Sequence, residues 1–418
     1  MFKKTFNKLS FHKKLIHNFG YLSVLQVFNM VLPLVTYPYL IRALGIDTYG
    51  LVVFAQTTIS YLVIIVSFGF NISATKEVSI YRNDHKKLSE IVSSTFIIKF
   101  FLLLCSFIIL LLLFYVIPQA SDYKLLFTLT MWLCVYEFLF PIWYFQGIEQ
   151  MKYITYLTLF SRLIFLGLIF LFIHNEDDYL YVPLINGLGS IIAGLVSLYI
   201  VFNKHKITFS IVNFKILRYH FLDSCPIFVS RISSFKDNTP AFLLGVFVGN
   251  QAVAYYDLAY KVFRILISVF DNITNVVFPL IAQKKNFNFL KKILRLEILV
   301  LFFSYLILIL LRKPIVLLLG GQDLLPAADL FFVIGVLLLR PFSSIVGSCV
   351  LILKGYNKSF MMNLIYSTLF YFCFTLICWR FFSITLYNVA WGIVLAQLFE
   401  LFHRFYLIKR KNLMYLIR

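Results

Sequence analysis

The sequence predicts an all-α polytopic membrane protein of about twelve transmembrane helices, arranged as two six-helix bundles related by a pseudo-two-fold axis along the membrane normal. Three observations carry this. Of 418 residues, 61% are hydrophobic and 13% charged, with a mean hydropathy of +0.88, where a soluble domain carries about 25% charged residues. Apolar runs of about 20 residues recur, the length of a helix crossing the bilayer core. Backbone polar groups cannot go unpaired in lipid, so spans are helices or closed barrels, and the alternating segments of a barrel are missing. Finally, two short segments recur at a spacing close to half the chain.

The spans are read at 19–44, 49–70, 91–117, 123–145, 153–174 and 180–203, then at 219–249, 253–282, 293–319, 327–353, 359–379 and 384–408. The predicted domains are a basic amphipathic segment at 1–18, a six-helix bundle at 19–203 and a linker at 204–218. A second six-helix bundle at 219–408 and a basic tail at 409–418 complete the chain. The opening stretch "MFKKTFNKLSFHKKLIHN" is basic and amphipathic, suited to an anionic membrane surface. It lacks the compact apolar core and cleavage site of a signal peptide. With both termini placed inside, twenty-six Lys and Arg fall on the inner side and five on the outer side: Arg42, Lys124, Arg312, Lys313 and Arg380. This is the positive-inside bias, and it accounts for the net charge of +20 without a nucleic-acid partner. The acidic Glu176-Asp177-Asp178 falls outside. All six cysteines lie in predicted spans, which argues against a disulfide framework and against a metal centre.

The repeat pairs "LGIDTYGLVVFAQT" at 44–57 with "VGNQAVAYYDLAYK" at 248–261, aligning Gly45 with Gly249 and Ala55 with Ala259. A second pair aligns Gln146–Gln150 with Lys354–Lys358, which matches Gly147 to Gly355 at a shift of 208. Parallel repeats of this kind are a transporter architecture with the cargo site between the halves. The stretch "PIWYFQGIEQMKYIT" at 141–155 reads as the inner turn between spans 4 and 5. Pro141 kinks the span end and Gly147 supplies backbone freedom, as a fixed corner or a moving hinge.

"PIWYFQGIEQMKY" resembles the signature turn of bacterial O-antigen (Wzx-type) flippases, the oligosaccharide flippases of the multidrug/oligosaccharidyl-lipid/polysaccharide exporter (MOP) superfamily. "YPYLIRALGIDTYGLVVFAQ" at 37–56, "FGFNISATKEVS" at 68–79 and "LGVFVGNQAVAYYDLAYKV" at 244–262 agree. The resemblance is strongest over the first 160 residues and across 226–282. It implies two six-helix bundles around a central cavity, alternating access, and an undecaprenyl-diphosphate-linked repeat unit as cargo. It also implies a bacterial inner-membrane location, with membrane lipids, the O-antigen polymerase and its chain-length regulator as partners.

The residues fit such a cargo, since a diphosphate and its sugars need a polar, cationic passage. Ionisable groups at membrane depth cost about 2.5–3.5 kcal/mol on insertion scales and usually serve function. Seven basic residues lie inside spans. Arg231, Lys236, Lys261 and Arg264 are the first candidates for diphosphate contact; Lys99, Arg162 and Arg340, with Arg42 at a span end, come second. In span 8, Asp257, Lys261, Arg264, Ser268, Asp271 and Asn275 recur on one helical face. Gln26 and Asn29 in span 1 and Gln56 in span 2 are further candidates for the polar lining. The plain alternative is that these groups pair with one another and bond neighbouring helices.

Glu137, Asp257 and Asp271 are the acids at depth that could couple transport to an ion gradient, although each can equally be an ion-pair partner. No Walker sequence is present, so no nucleotide cofactor is expected. Two other classes are weaker. A membrane polymerase or glycosyltransferase needs a sizeable outer loop, and a multidrug exchanger for cations would prefer an acidic cavity. A lipid II flippase of the superfamily would carry two further spans.

Overall fold

A computed structural model describes the backbone of residues 2–232, 235–284 and 287–417, with side chains described except at 1–16, 19, 232, 272, 275, 276, 279, 280 and 282–284. Among these residues every regular element is helical. The chain forms two compact units. The N-terminal unit is Met1–Gly45 with Ala55–Ile232, and the C-terminal unit is Ile46–Phe54 with Ser233–Arg418. This division differs from the expected linker at 204–218, and it assigns nine residues of the first long helix to the second unit.

The N-terminal unit contains α1 (Phe2–Ser67, less its middle), α2 (Phe70–Ile80), α3 (His85–Val116), α4 (Pro118–Asp122) and α5 (Lys124–Thr130). It continues with α6 (Trp132–Leu139), α7 (Ile142–Gly147), α8 (Met151–Phe172), α9 (Tyr181–Tyr199) and α10 (Phe214–Ile232). The C-terminal unit holds α11 (Phe235–Phe247), α12 (Asn250–Lys284), α13 (Phe287–Leu310), α14 (Arg312–Gly320) and α15 (Ala327–Ile334). It closes with α16 (Leu339–Val346), α17 (Asn357–Phe381) and α18 (Leu386–Arg410). Eight helical stretches among the described residues are long and apolar enough to cross a membrane, the first of them Gly20–Ile80, which merges two expected spans. The other expected spans lie in α10–α11, α12 and α18. The basic segment expected at 1–18 forms the start of α1; nearly all of its side chains lie outside the described residues.

Local sequence sets the breaks. Gly45 takes φ 71°, ψ 169° and bends α1. The α1–α2 break uses left-handed backbone at Phe68 and Gly69. Asp84 caps α3 by accepting from the Lys86 and Lys87 amides. In the acidic loop at 176–178, Asp178 accepts from the amides of His174 and Asn175, which holds its carboxyl below the usual range.

Aromatic residues of the motif at 141–155 lie in a buried core cluster of the N-terminal unit. Trp143, Tyr144 and Phe145 are all buried, packed with Phe96, Phe140, Val201 and Ile207. Tyr144 Oη lies 3.1 Å from His205 Nδ1. Burial, then the charges of Lys204 and Lys152, lower the His205 pKa and favour the neutral imidazole as acceptor.

The glycine assignment in this motif needs correction. Gly147 is helical; the left-handed residue is Glu149, at φ 59°. In the second unit that conformation falls on Gly355, at φ 81°. Each turn closes alike: Gln150 N–H donates to the Phe145 carbonyl (2.9 Å), and Tyr356 N–H to that of Leu351 (2.8 Å). The structural register of this repeat is therefore 206, not 208. The same spacing relates left-handed Lys206 and Asn412.

Gly147 serves close packing instead. A Cβ there would sit 2.5 Å from Val78 Cγ1 and 3.0 Å from the Thr75 carbonyl oxygen, both on α2. Gly147→Val should therefore destabilise the N-terminal unit by about 1–3 kcal/mol, the range for overpacking. The check is folded yield and melting temperature by fluorescence size-exclusion. Normal yield of inactive protein would favour a moving hinge instead.

Candidate functional site

The N-terminal unit has a partly open cavity of about 350 Å³ between α1, α6, α8 and α9, with polar side chains set in a largely apolar wall. Gln56 reaches it from α1, Trp132 and Tyr136 from α6, Thr158, Ser161 and Arg162 from α8, and Asn186 and Ser190 from α9. The sequence "NGLGS" at 186–190 explains why α9 approaches closely enough to deliver its two polar groups. A Cβ on Gly187 would meet the Trp132 side chain at 2.9 Å, and one on Gly189 would meet the Ser161 carbonyl oxygen at 2.9 Å. Ser161 and Ser190 hydroxyls lie 3.2 Å apart across that contact.

The cavity has an excess of donors. Arg162 makes no ion pair or hydrogen bond among the described residues, and no carboxylate lines the cavity. The Trp132 indole Nε1 is buried without an acceptor among the described residues. Two expected site residues, Arg162 and Gln56, are thus brought together. Nothing in the sequence tied them to Trp132, Asn186 or Ser190, though "NGLGS" was a visible sign of close helix packing.

Most of the other expected cations have partners. Lys99 is buried, its Nζ 2.7 Å from the Glu137 carbonyl oxygen and 2.9 Å from Glu137 Oε1, with Asn71 Nδ2 also near that carboxylate (3.5 Å). Lys236 donates to Glu400 Oε2 at 2.6 Å and to Ser367 Oγ at 2.8 Å. Glu400 Oε1 pairs with Arg404 at 2.6 Å, and Arg404 also reaches Asn363 and Ser343. Lys99 and Lys236, candidates for diphosphate contact, are thus held in ion-pair networks, the plain alternative considered for these groups. Arg340 forms a two-point pair with Asp237, at 3.1 and 2.9 Å.

The α12 stripe is divided among several contacts. Lys261 Nζ lies 2.5 Å from Asp257 Oδ2, and Tyr49 Oη donates to the same carboxylate oxygen at 2.7 Å. Arg264 is exposed and bonds Tyr260 Oη at 3.2 Å. The Ser268 hydroxyl turns back to the Ile265 carbonyl at 2.7 Å. Asp271 is half-buried and faces the charges of Arg340 and Arg264. The side chain of Asn275 lies outside the described residues. Arg231 is half-buried at the end of α10 and has no ion pair among the described residues, while Arg42 is exposed. Gln26 is half-buried, and Asn29 Oδ1 is buried without a donor. Of the acids considered for ion coupling, Glu137 and Asp257 are tied to lysines, and Asp271 has no such close pair among the described residues.

Sequence reasoning missed Glu297, Glu400 and Arg404 as members of the buried polar set. Glu297 is 5% exposed, and neither carboxylate oxygen has a hydrogen-bond partner among the described residues. Glu400 and Arg404 stand four apart in an apolar helix, a spacing visible in "FELFHR".

Comparison with known proteins adds three findings. Residues 15–285 match the family model described as "Polysaccharide biosynthesis protein". A protein of Escherichia coli (strain K12) named "Putative O-antigen transporter" is 28% identical over 295 residues, covering 70% of this chain and 69% of its own. Among solved structures, a multidrug resistance MATE family transporter of the MOP superfamily superposes with TM-score 0.73 at 15% identity, over 92% of this chain and 95% of its own. The lipid II flippase MurJ superposes with TM-score 0.69 at 16% identity, over 94% and 89%. The fold is therefore the all-α architecture of two six-helix bundles, in a multi-pass membrane protein.

Proposed function

Because the chain belongs to the polysaccharide biosynthesis protein family, we propose that it moves a lipid-linked oligosaccharide, an O-antigen-type repeat unit on undecaprenyl diphosphate, across the bacterial inner membrane. It carries the unit from the cytoplasmic to the periplasmic leaflet, with both termini cytoplasmic. The name of the E. coli relative and the fold shared with a lipid-linked precursor flippase support this reading. So does the excess of Lys and Arg on the inner loops.

The observation that carries it is the Arg162 cavity: a space among apolar helices that holds a cation and several polar side chains and has no carboxylate in its lining. The prenyl tail can stay in lipid, whereas the sugars cannot cross hydrocarbon unaided and need such a lining. A drug-exchanging relative that takes cations would need the opposite charge there. Arg231 and Arg264, which have no ion pair among the described residues, are the leading candidates for the diphosphate, with Arg340 and Lys261 reachable only by giving up Asp237 and Asp257. Asp271 and Glu297 are acids in expected spans without a close basic partner among the described residues. Driving by an ion gradient would act through them. An enzymatic role is disfavoured, because the outer acidic loop is short and Asp178 is occupied by backbone amides. The polymerase and chain-length regulator would act on the delivered unit.

A clean deletion tests the proposal. Surface glycan should disappear while complete single repeat units accumulate on the cytoplasmic face. Complementation with Arg162→Glu should fail to restore export although the protein inserts and accumulates. Repeat units reaching the outer face unpolymerised would point to an enzyme and overturn the reading.

A further inference from the structure

We infer that the N-terminal cavity is a subsite for a carboxylate-bearing sugar, so that the cargo glycan contains an acidic residue such as a uronate. This rests on the flippase reading and deepens it by naming a substrate class.

Charge balance is the first reason. Arg162 is the one cation lining the cavity among the described residues. A guanidinium matches a carboxylate fork in charge and geometry. A diphosphate brings at least two negative charges, and in this low-dielectric setting the second would be left uncompensated. Repeated cations are found instead in the other unit, on α11, α12 and α16.

The second reason is donor excess. Arg162 offers five N–H donors and has no ion pair or hydrogen bond among the described residues, and the buried Trp132 Nε1 has no acceptor there. The buried Trp132 donor costs about 1–3 kcal/mol while it has no acceptor. A ligand rich in oxygen acceptors removes that cost, and a neutral or cationic apolar ligand does not.

The remaining surface has the mixed character that a sugar ring requires. The Gln56 and Asn186 amides can meet ring hydroxyls, and Trp132 and Tyr136 offer aromatic surface for its C–H face. The volume of about 350 Å³ equals about a dozen waters at ~30 Å³ each. That suits a monosaccharide unit, and it lies at the small end of typical ligand pockets.

The test uses the purified full-length protein in nanodiscs, with Trp132 as a reporter inside the site. Fluorescence is titrated with free D-glucuronate, D-glucose and inorganic pyrophosphate, and Trp132→Phe identifies the responding residue. Glucuronate is expected to give saturable quenching that is lost in Trp132→Phe. Its affinity should exceed that of glucose at least tenfold. Arg162→Ala should erase that preference, and Arg162→Lys should restore part of it. Melting temperatures of the variants confirm that each remains folded. Equal responses to glucuronate and glucose, or no saturable response to either, would overturn the subsite. Tighter binding of pyrophosphate would reassign Arg162 to the diphosphate. The outcome is separable from the flippase reading, which stands or falls on the location of lipid-linked intermediates in the deletion strain.

Discussion

Glu400→Ala is expected to destabilise the C-terminal unit by about 3–5 kcal/mol, the range for breaking a buried ion pair from one side. Glu400 is 5% exposed and sits between two cations, with Lys236 at 2.6 Å and Arg404 at 2.6 Å. Removing the carboxylate leaves both charges buried inside apolar helices. Lys236→Met should cost clearly less. It leaves Glu400 paired with Arg404, and the unbranched Met side chain fills much of the lysine stem's space. Melting temperature and folded yield in detergent check the order. A Glu400→Ala protein that melts with the wild type, or below which Lys236→Met falls, would show that the network contributes little.

Gly50→Ala is the second large effect. Gly50 lies in Ile46–Phe54, and a Cβ there would overlap the backbone carbonyl of Asn250 at the start of α12. A flexible side chain could rotate away, but this obstacle is main chain. The helix must shift, and the cost should reach or exceed the top of the ~1–3 kcal/mol overpacking range. Tyr49 and Phe54 would move with it, which would loosen the Tyr49–Asp257 hydrogen bond (2.7 Å). Gly20→Ala is the control. No atom outside its own helix lies within 4 Å of the added Cβ, so the change should be neutral or stabilising by up to about 1 kcal/mol through helix propensity. Equal melting of the two variants would refute the packing argument.

The spans and the helical class were legible because lipid imposes them on composition and run length. The repeat was legible in outline, and its Gly45–Gly249 pairing holds, both residues taking positive φ, but the register of the second pair was two residues off. Glycine has two uses, left-handed backbone and close approach, and the letter alone does not say which applies. Gly147 is used for approach, while Glu149 takes the conformation that Gly355 takes in the second unit. The cations show a different limit. Helical spacing correctly joined Asp257 to Lys261, a local pair. It could not find Glu400 for Lys236, because that bond spans 164 positions and two helices. Arg162 was visible only as a lone charge, and its meaning came from the partners it lacks.

The assignment of Ile46–Phe54 to the C-terminal unit has a consequence for biogenesis. These nine residues enter the membrane among the first, yet the helices they pack with, α11 and α12, follow about 200 residues later. At ~5–20 residues per second, the ribosome needs on the order of 10–40 s to supply them. For that interval the middle of α1 is inserted but unassembled, and the insertion machinery or a membrane chaperone has a client to hold. A chain interrupted before residue 235 lacks those partners altogether and should be a preferred substrate for membrane proteolysis.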